Sequence, residues 1–313
     1  MPDYDFYLVN RRVLNDPEGF VEECDRQFER RVRAAADYIA DHLRESPIVL
    51  LSGPSGSGKT TTAKLLELDL RERGVLTHVI SLDNYYRTVE LATHPRDEEG
   101  SVDFEAPECL DIPLLTQHFS DLAEGREILA PKFDFPKQAR DESRALPLRL
   151  GPHDVAIFEG IHALNPMLSG PIGARAQKLY VSARSNVVRD GSLYFKGTWM
   201  RLIRRLIRDE KFRGAESAYT MSLWAGVRRG EKKYISPFKN DADIMVDSSL
   251  AYEVCALKRF ALPLVSRVPE ECQRRAELLE IHPRMLPFAE LDEHMLAHDS
   301  LLREFIGGGT IQY

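Results

Sequence analysis

Apolar residues in this chain follow two spacings that alternate along its length. After Asp16-Pro17-Glu18, an N-cap with proline in the first turn, apolar positions recur at helical spacing from Phe20 to about Leu43, which predicts one long helix. Residues 48–51 (IVLL) form a short apolar run between Pro47 and a glycine-rich loop, the pattern of a buried parallel strand. Leu65, Leu66, Leu68 and Leu70 then mark a helix over 59–73 that stops at Gly74. Further strands are predicted at 78–82, 155–158, 178–181 and 243–246. Strand alternating with helix implies an α/β fold, a parallel sheet flanked by helices on both faces. Residues 84–150, rich in Pro, Asp, Glu and Arg, read as loops and short elements over the sheet's active edge. From Tyr252 the pattern is helical, broken by Pro263, Pro269, Pro283 and Pro287.

A length of 313 residues, 43% of them hydrophobic, supports one large α/β domain with a helical extension. The expected division is an N-terminal segment and long helix (1–46), a main domain (47–258) with a helical lid at roughly 196–235, and a helical C-terminal extension (259–313). A net charge of -7 argues against nucleic-acid or anionic-membrane binding, which needs a concentrated positive field. Cys24, Cys109, Cys255 and Cys272 are widely spaced and read as reduced thiols. No window approaches a membrane span, so a cytoplasmic location is expected.

The loop after the first strand, Gly53-Pro54-Ser55-Gly56-Ser57-Gly58-Lys59-Thr60, matches G-x-x-x-x-G-K-[ST] with a strand before and a helix after. Such a P-loop turns backbone N–H groups inward around phosphates, and the helix N-terminus adds partial positive charge. Gly53, Ser55, Gly56, Ser57, Gly58, Lys59, Thr60 and Thr61 are therefore the expected ATP contacts. Lys59 would reach the β and γ phosphates, and the Thr60 hydroxyl would bind Mg²⁺.

Asp83, in SLDNYY, falls at a strand's C-terminal end, where open parallel sheets place their ligands. It can accept the proton of an attacking hydroxyl and help hold Mg²⁺. Glu159 ends the most apolar strand and is a further Mg²⁺ candidate. In MRLIRRLIRDEKF, Arg201, Arg204, Arg205 and Arg208 share one helical face, with Leu202, Ile203, Leu206 and Ile207 on the other. The reading favoured over a solvated stripe is a lid that brings guanidinium groups onto a transferring phosphoryl, with Arg213 and Arg228-Arg229 continuing its basic character.

The motifs GPSGSGKTT, SLDNYY, DFEAPECLD, PKFDFPKQAR, FEGIHAL and RLIRRLIRDEKFRG together resemble the uridine kinase and phosphoribulokinase family of P-loop kinases, most closely its bacterial uridine kinase-like nucleoside kinases. The resemblance implies Asp83 as catalytic base and Glu159 as metal helper, while lid arginines such as Arg201, Arg205 or Arg208 would stabilise the charge on the transferring phosphoryl. It implies a nucleoside site with Phe104 and Glu105 near the ribose and Phe133, Asp134, Phe135 and Arg140 around the base, and Asp83, Tyr85, Gln138 and Arg201 are expected as further substrate contacts. The family usually has Asp at Glu105, Tyr at Phe133, His at Gln138 and Gln near Leu223, and those polar groups help to read a pyrimidine. ATP- and Mg²⁺-dependent phosphorylation of a nucleoside is thus expected, with base specificity open. Kinases for another small alcohol, such as a pentose phosphate or a pantothenate-like compound, and a catalytically silent ATP sensor are the alternatives. The C-terminal helices are expected to pack on the core or to form a subunit interface.

Overall fold

The computed structural model describes residues 3–90, 93–272 and 275–311. Five parallel strands, β1 (Ile48–Ser52), β2 (Leu76–Ser81), β3 (Asp154–Glu159), β4 (Ala176–Ser182) and β5 (Ile244–Asp247), lie in the order β5-β4-β1-β3-β2. Side chains alternate between faces, so each strand feeds two cores. Val49, Leu51, Val155, Ile157, Leu179 and Val181 enter one core, and Ile48, Leu50, Ala156, Phe158 and Tyr180 enter the other. Burial on both faces explains why these strands read as continuous apolar runs.

The helices that frame the sheet and the site are α1 (Phe6–Asn15), α2 (Pro17–Asp41), α3 (Lys59–Glu72), α4 (Ile112–Ala123), α5 (Gly197–Phe212), α6 (Ser217–Gly230), α7 (Glu253–Ser266), α8 (Arg275–Met285) and α9 (Arg303–Ile306), with a further single turn at Pro166–Ser169. The expected N-terminal signal of α2 is present: Asp16 accepts a bond from the Gly19 N–H at 3.2 Å, and Pro17 occupies the first turn. The opening segment contains α1, capped by Asp5 through the Leu8 N–H at 2.8 Å. Tyr4–Asp5 pairs with Val187–Arg189, which pairs in turn with Ser192–Phe195, making a small second sheet too short for periodicity to announce. Segment 84–150 holds α4 and two small hairpins, Ile128–Ala130 with Leu146–Leu148 and Phe133–Asp134 with Ala139–Arg140.

Two expectations need correction. The C-terminal extension is only partly helical: beyond α8 it runs mainly through turns before the single helical turn of α9. It packs on the main domain, with Phe288 against Phe6 and Phe195 and the Leu291 N–H on the Cys255 carbonyl at 3.1 Å. The arginine helix α5 is interior on both sides. Leu202, Ile203, Leu206 and Ile207 sit in the core, but Arg201 and Arg204 are also buried, because α5 is packed by α6, α7 and α9.

Arg204 and Glu253 form an ion pair with both side chains fully buried. Arg204 Nη2 lies 2.7 Å from Glu253 Oε2 and donates to the Ser248 carbonyl at 2.8 Å, while Nη1 donates to the Gly56 carbonyl at 3.2 Å. Removing one partner of a pair like this strands the other charge away from water. Glu253→Ala is expected to lower the unfolding free energy by about 3–5 kcal/mol in urea titrations. The double variant Arg204→Met, Glu253→Leu should recover most of that loss, and an unshifted midpoint in the single variant would contradict the structural role.

Candidate active site

The sheet's carboxyl edge carries the phosphate loop between β1 and α3. Its glycines are required by contact. A Cβ on Gly53 would come within 2.0 Å of the Val181 carbonyl oxygen, and one on Gly56, at φ +72°, within 2.6 Å of the Arg201 carbonyl. A Cβ on Gly58, at φ +81°, would come within 2.7 Å of the Leu301 side chain. Lys59 lies folded back, its Nζ donating to the Pro54 carbonyl at 3.3 Å. Arg201 donates to the Ser55 carbonyl at 3.3 Å and grips Glu231 with both terminal nitrogens at 2.9–3.1 Å. Arg205 donates to Ser55 Oγ at 3.1 Å. Arg208 lies 3.6 Å from Glu304. The arginine stripe thus clamps the loop from inside the fold instead of standing over it as a lid.

The charges here are tightly coupled. Burial lowers the Lys59 pKa, opposed by Glu159, Glu304 and Asp83. Asp83 leaves β2 on a 3₁₀ turn and keeps an exposed edge, but the protein crowded around it raises its carboxyl against the pull of Lys59, Arg213 and Arg208. Glu159 is 8% exposed, and its pKa is raised by burial, partly offset by Lys59 and reinforced by Asp83. Two carboxylates that disfavour each other's ionisation, beside the turn that carries Thr60, suit a hard cation. Among the described residues no three His, Cys, Asp or Glu side chains form a ready-made cage. Such a set would hold Mg²⁺ together with phosphate oxygens and water.

On the acceptor side, Glu105 packs against Gly230 at the end of α6, and its pKa is raised by burial, opposed by Arg205 and reinforced by Asp103 and Asp83. Beside this contact lies a cavity of about 310 Å³ lined by Asp97, Asp103, Arg229, Lys233 and Tyr234, in which the Tyr234 hydroxyl donates to Asp103 at 3.0 Å. Phe104 is exposed. Phe133 lies edge-on to Phe135 and Tyr86, and its N–H donates to Asn84 at 3.3 Å, tying the base segment to the Asp83 turn. Gln138 is exposed, in a left-handed backbone conformation at φ 51°.

Two expected substrate residues are otherwise engaged. Tyr85 is fully buried and its hydroxyl meets His118 Nδ1 at 2.9 Å, so it serves the second core. Arg140 binds Asp111 at 3.1 Å and the Tyr85 carbonyl at 3.5 Å, bracing the turn. Sequence reasoning missed Tyr86, which is half-buried and has its pKa raised well above the usual value by burial, then by Asp83 and Glu105. It also missed His162, three residues beyond Glu159. His162 is 1% exposed and lies against the Glu105 backbone, and burial pulls its pKa down to about 4 against that contact, so the ring is neutral near pH 7. Its place in FEGIHAL, directly after a site carboxylate, was the available signal.

The resemblance read from these motifs is borne out. Residues 48–172 match the family model described as Phosphoribulokinase / Uridine kinase family. A uridine kinase of Staphylococcus aureus strain JH9 is 28% identical over 206 residues, covering 65% of this chain and 88% of that protein. Among solved structures, a possible uridine kinase from Bacillus stearothermophilus aligns at 19% identity and TM-score 0.42, covering 69% of this chain and 98% of that one. D-glycerate 3-kinase from Cryptococcus neoformans aligns at 15% identity and TM-score 0.33, covering 85% and 89%.

Replacing Gly56 by Ala forces a side chain into the left-handed region and against the Arg201 carbonyl. Calorimetric titration with Mg·ATP is expected to show about a tenfold or greater loss of affinity, as a displaced loop forfeits more than 1.4 kcal/mol of contacts. Unaltered affinity in a folded variant would contradict the role given to this loop.

Proposed function

We propose that the chain transfers the γ-phosphoryl of ATP, with Mg²⁺, to the 5′-hydroxyl of a nucleoside. The observation that carries the reading is the coupling of Asp83 with Lys59, at the sheet edge where the phosphate loop opens, with Asp83 close enough to Glu105 to raise its carboxyl further. A phosphate-binding lysine beside a carboxylate of raised pKa is an arrangement for in-line transfer to a hydroxyl. The match to the family model and the identity to a uridine kinase support the same class.

In this mechanism the acceptor lies near Glu105 and Tyr86, and the neutral imidazole of His162 is a ready partner for one of its hydroxyls. Asp83 takes the hydroxyl proton as the oxygen forms its bond to the γ-phosphorus and the bond to the bridging oxygen breaks, releasing ADP. Lys59, Arg205 and Arg208 stabilise the charge that spreads over the transferring group. Thr60, Glu159 and Asp83 would hold Mg²⁺, which would supply further positive charge to the phosphate oxygens.

A second reading, phosphorylation of a different small alcohol, is favoured by the base segment. Phe133 has no hydroxyl, Gln138 points to solvent and Leu223 is 41% exposed, so hydrogen bonding to a pyrimidine is sparse here. The deciding experiment is acceptor-dependent ADP release with ATP and Mg²⁺ across uridine, cytidine, inosine, adenosine, guanosine, thymidine, ribose derivatives and pantothenate. Release with nucleosides supports the first reading. Release confined to the other alcohols supports the second, and ATP binding without any acceptor-dependent release would remove both.

Asp83→Asn is expected to lower kcat by about 10²–10⁴-fold while ATP still binds, and near-normal turnover would exclude Asp83 as the base. The pH profile has a determined sign. Asp83 acts ionised, and its raised pKa keeps it protonated to higher pH than a free aspartate, whose ordinary value is 3.8. Turnover should therefore fall on acidification at a pH above that value, and a flat profile through this range would contradict the assignment.

A further inference from the structure

The last described turns of the chain return to the phosphate loop. Glu304, on α9, accepts from Thr61 Oγ1 at 2.5 Å and from the Thr61 backbone N–H at 3.3 Å, at the first turn of α3. Its carboxylate is 7% exposed, faces Arg208 at 3.6 Å and pulls on Lys59. Leu301 covers Gly58. Phe305 lies under the guanidinium groups of Arg204 and Arg208, at 5.3 and 6.0 Å. Lys211 donates to the Ile306 carbonyl at 2.7 Å, and Arg303 donates to the carbonyls of Leu296 and Glu293 at 2.8 and 3.0 Å.

We propose that residues 301–306 are an intramolecular ligand of the phosphate loop, with Glu304 standing in an anion position that ATP must take over. The donors it engages, a backbone N–H at a helix N-terminus backed by a lysine and an arginine, are the ones a polyphosphate uses. A carboxylate and a phosphate cannot share them, since both are anionic and the same N–H would serve two acceptors. The segment therefore lowers the fraction of molecules ready to bind nucleotide, and the apparent affinity for ATP falls by that fraction. Leu301, Leu302 and Phe305 are almost wholly buried, so the seated state is a packed alternative to the nucleotide-bound one.

The inference rests on the phosphate loop as an ATP site and is independent of the acceptor. Calorimetric titration of the full chain with Mg·ATP, compared with Glu304→Gln and Glu304→Ala, should show affinity rising roughly threefold to tenfold as the competing charge is removed. Unchanged or weaker binding in folded variants would overturn it, because Glu304 would then be only a support for Thr61. If the variants do not fold, hydrogen exchange of wild type decides. Amides of 301–306 should lose protection when Mg with a non-hydrolysable ATP analogue saturates the protein, and unchanged or increased protection would overturn the proposal. Failure of ATP to bind wild type and both variants alike would defeat the phosphate-loop reading itself, a result separable from either of these.

Discussion

Close approach of backbone to backbone at the phosphate loop is the constraint on which the rest of the structure depends. Gly53 lies where only a hydrogen fits beneath the Val181 carbonyl, and Gly56 lies against the Arg201 carbonyl. These contacts hold three separate parts of the chain together: the end of β4, the start of α5 and the loop between β1 and α3. Once they are made, the N–H groups of the loop converge and the helix N-terminus behind them adds its partial charge. A side chain at either glycine would separate the loop from the elements that brace it.

The arginines of α5 follow from that constraint. A loop shaped to hold an anion needs support that does not itself bring in negative charge. Arg201 and Arg204 supply it from within the fold, each donating to a loop carbonyl while a buried carboxylate, Glu231 or Glu253, balances its charge. Removing two charges from water is unfavourable unless the geometry satisfies both, and here it does. Arg205 and Arg208 lie further along the same helix, are less enclosed, and face the cleft and Glu304. One helical stripe is thus divided by burial into a fully enclosed half and a half that stays partly open beside the phosphate loop.

The sheet was legible because its strands are buried on both sides, which leaves apolar runs that no loop would carry, and the glycine loop was legible because its spacing is a direct consequence of its contacts. Asp83 and Glu159 were found by the same logic, as acids at the carboxyl ends of strands. Tyr85 and Tyr86 were not separable, because adjacent residues on a 3₁₀ turn face different ways and only the packing of α4 determines which enters the core. The arginine stripe was read as a lid since its buried partners, Glu231 and Glu253, lie 30 and 49 residues away and leave no local signal.

By itself the sequence determined the order of elements, the phosphate loop and the strand-end carboxylates, all of which depend on local spacing and on the period of burial. Tertiary structure decided which arginines became internal supports, which of the two tyrosines entered the core, that His162 was enclosed beside the Glu105 backbone, and that Glu304 came to rest on Thr61. Each of these is a pairing across long sequence separation, in which burial removes water as the competing partner and makes a single distant group decisive.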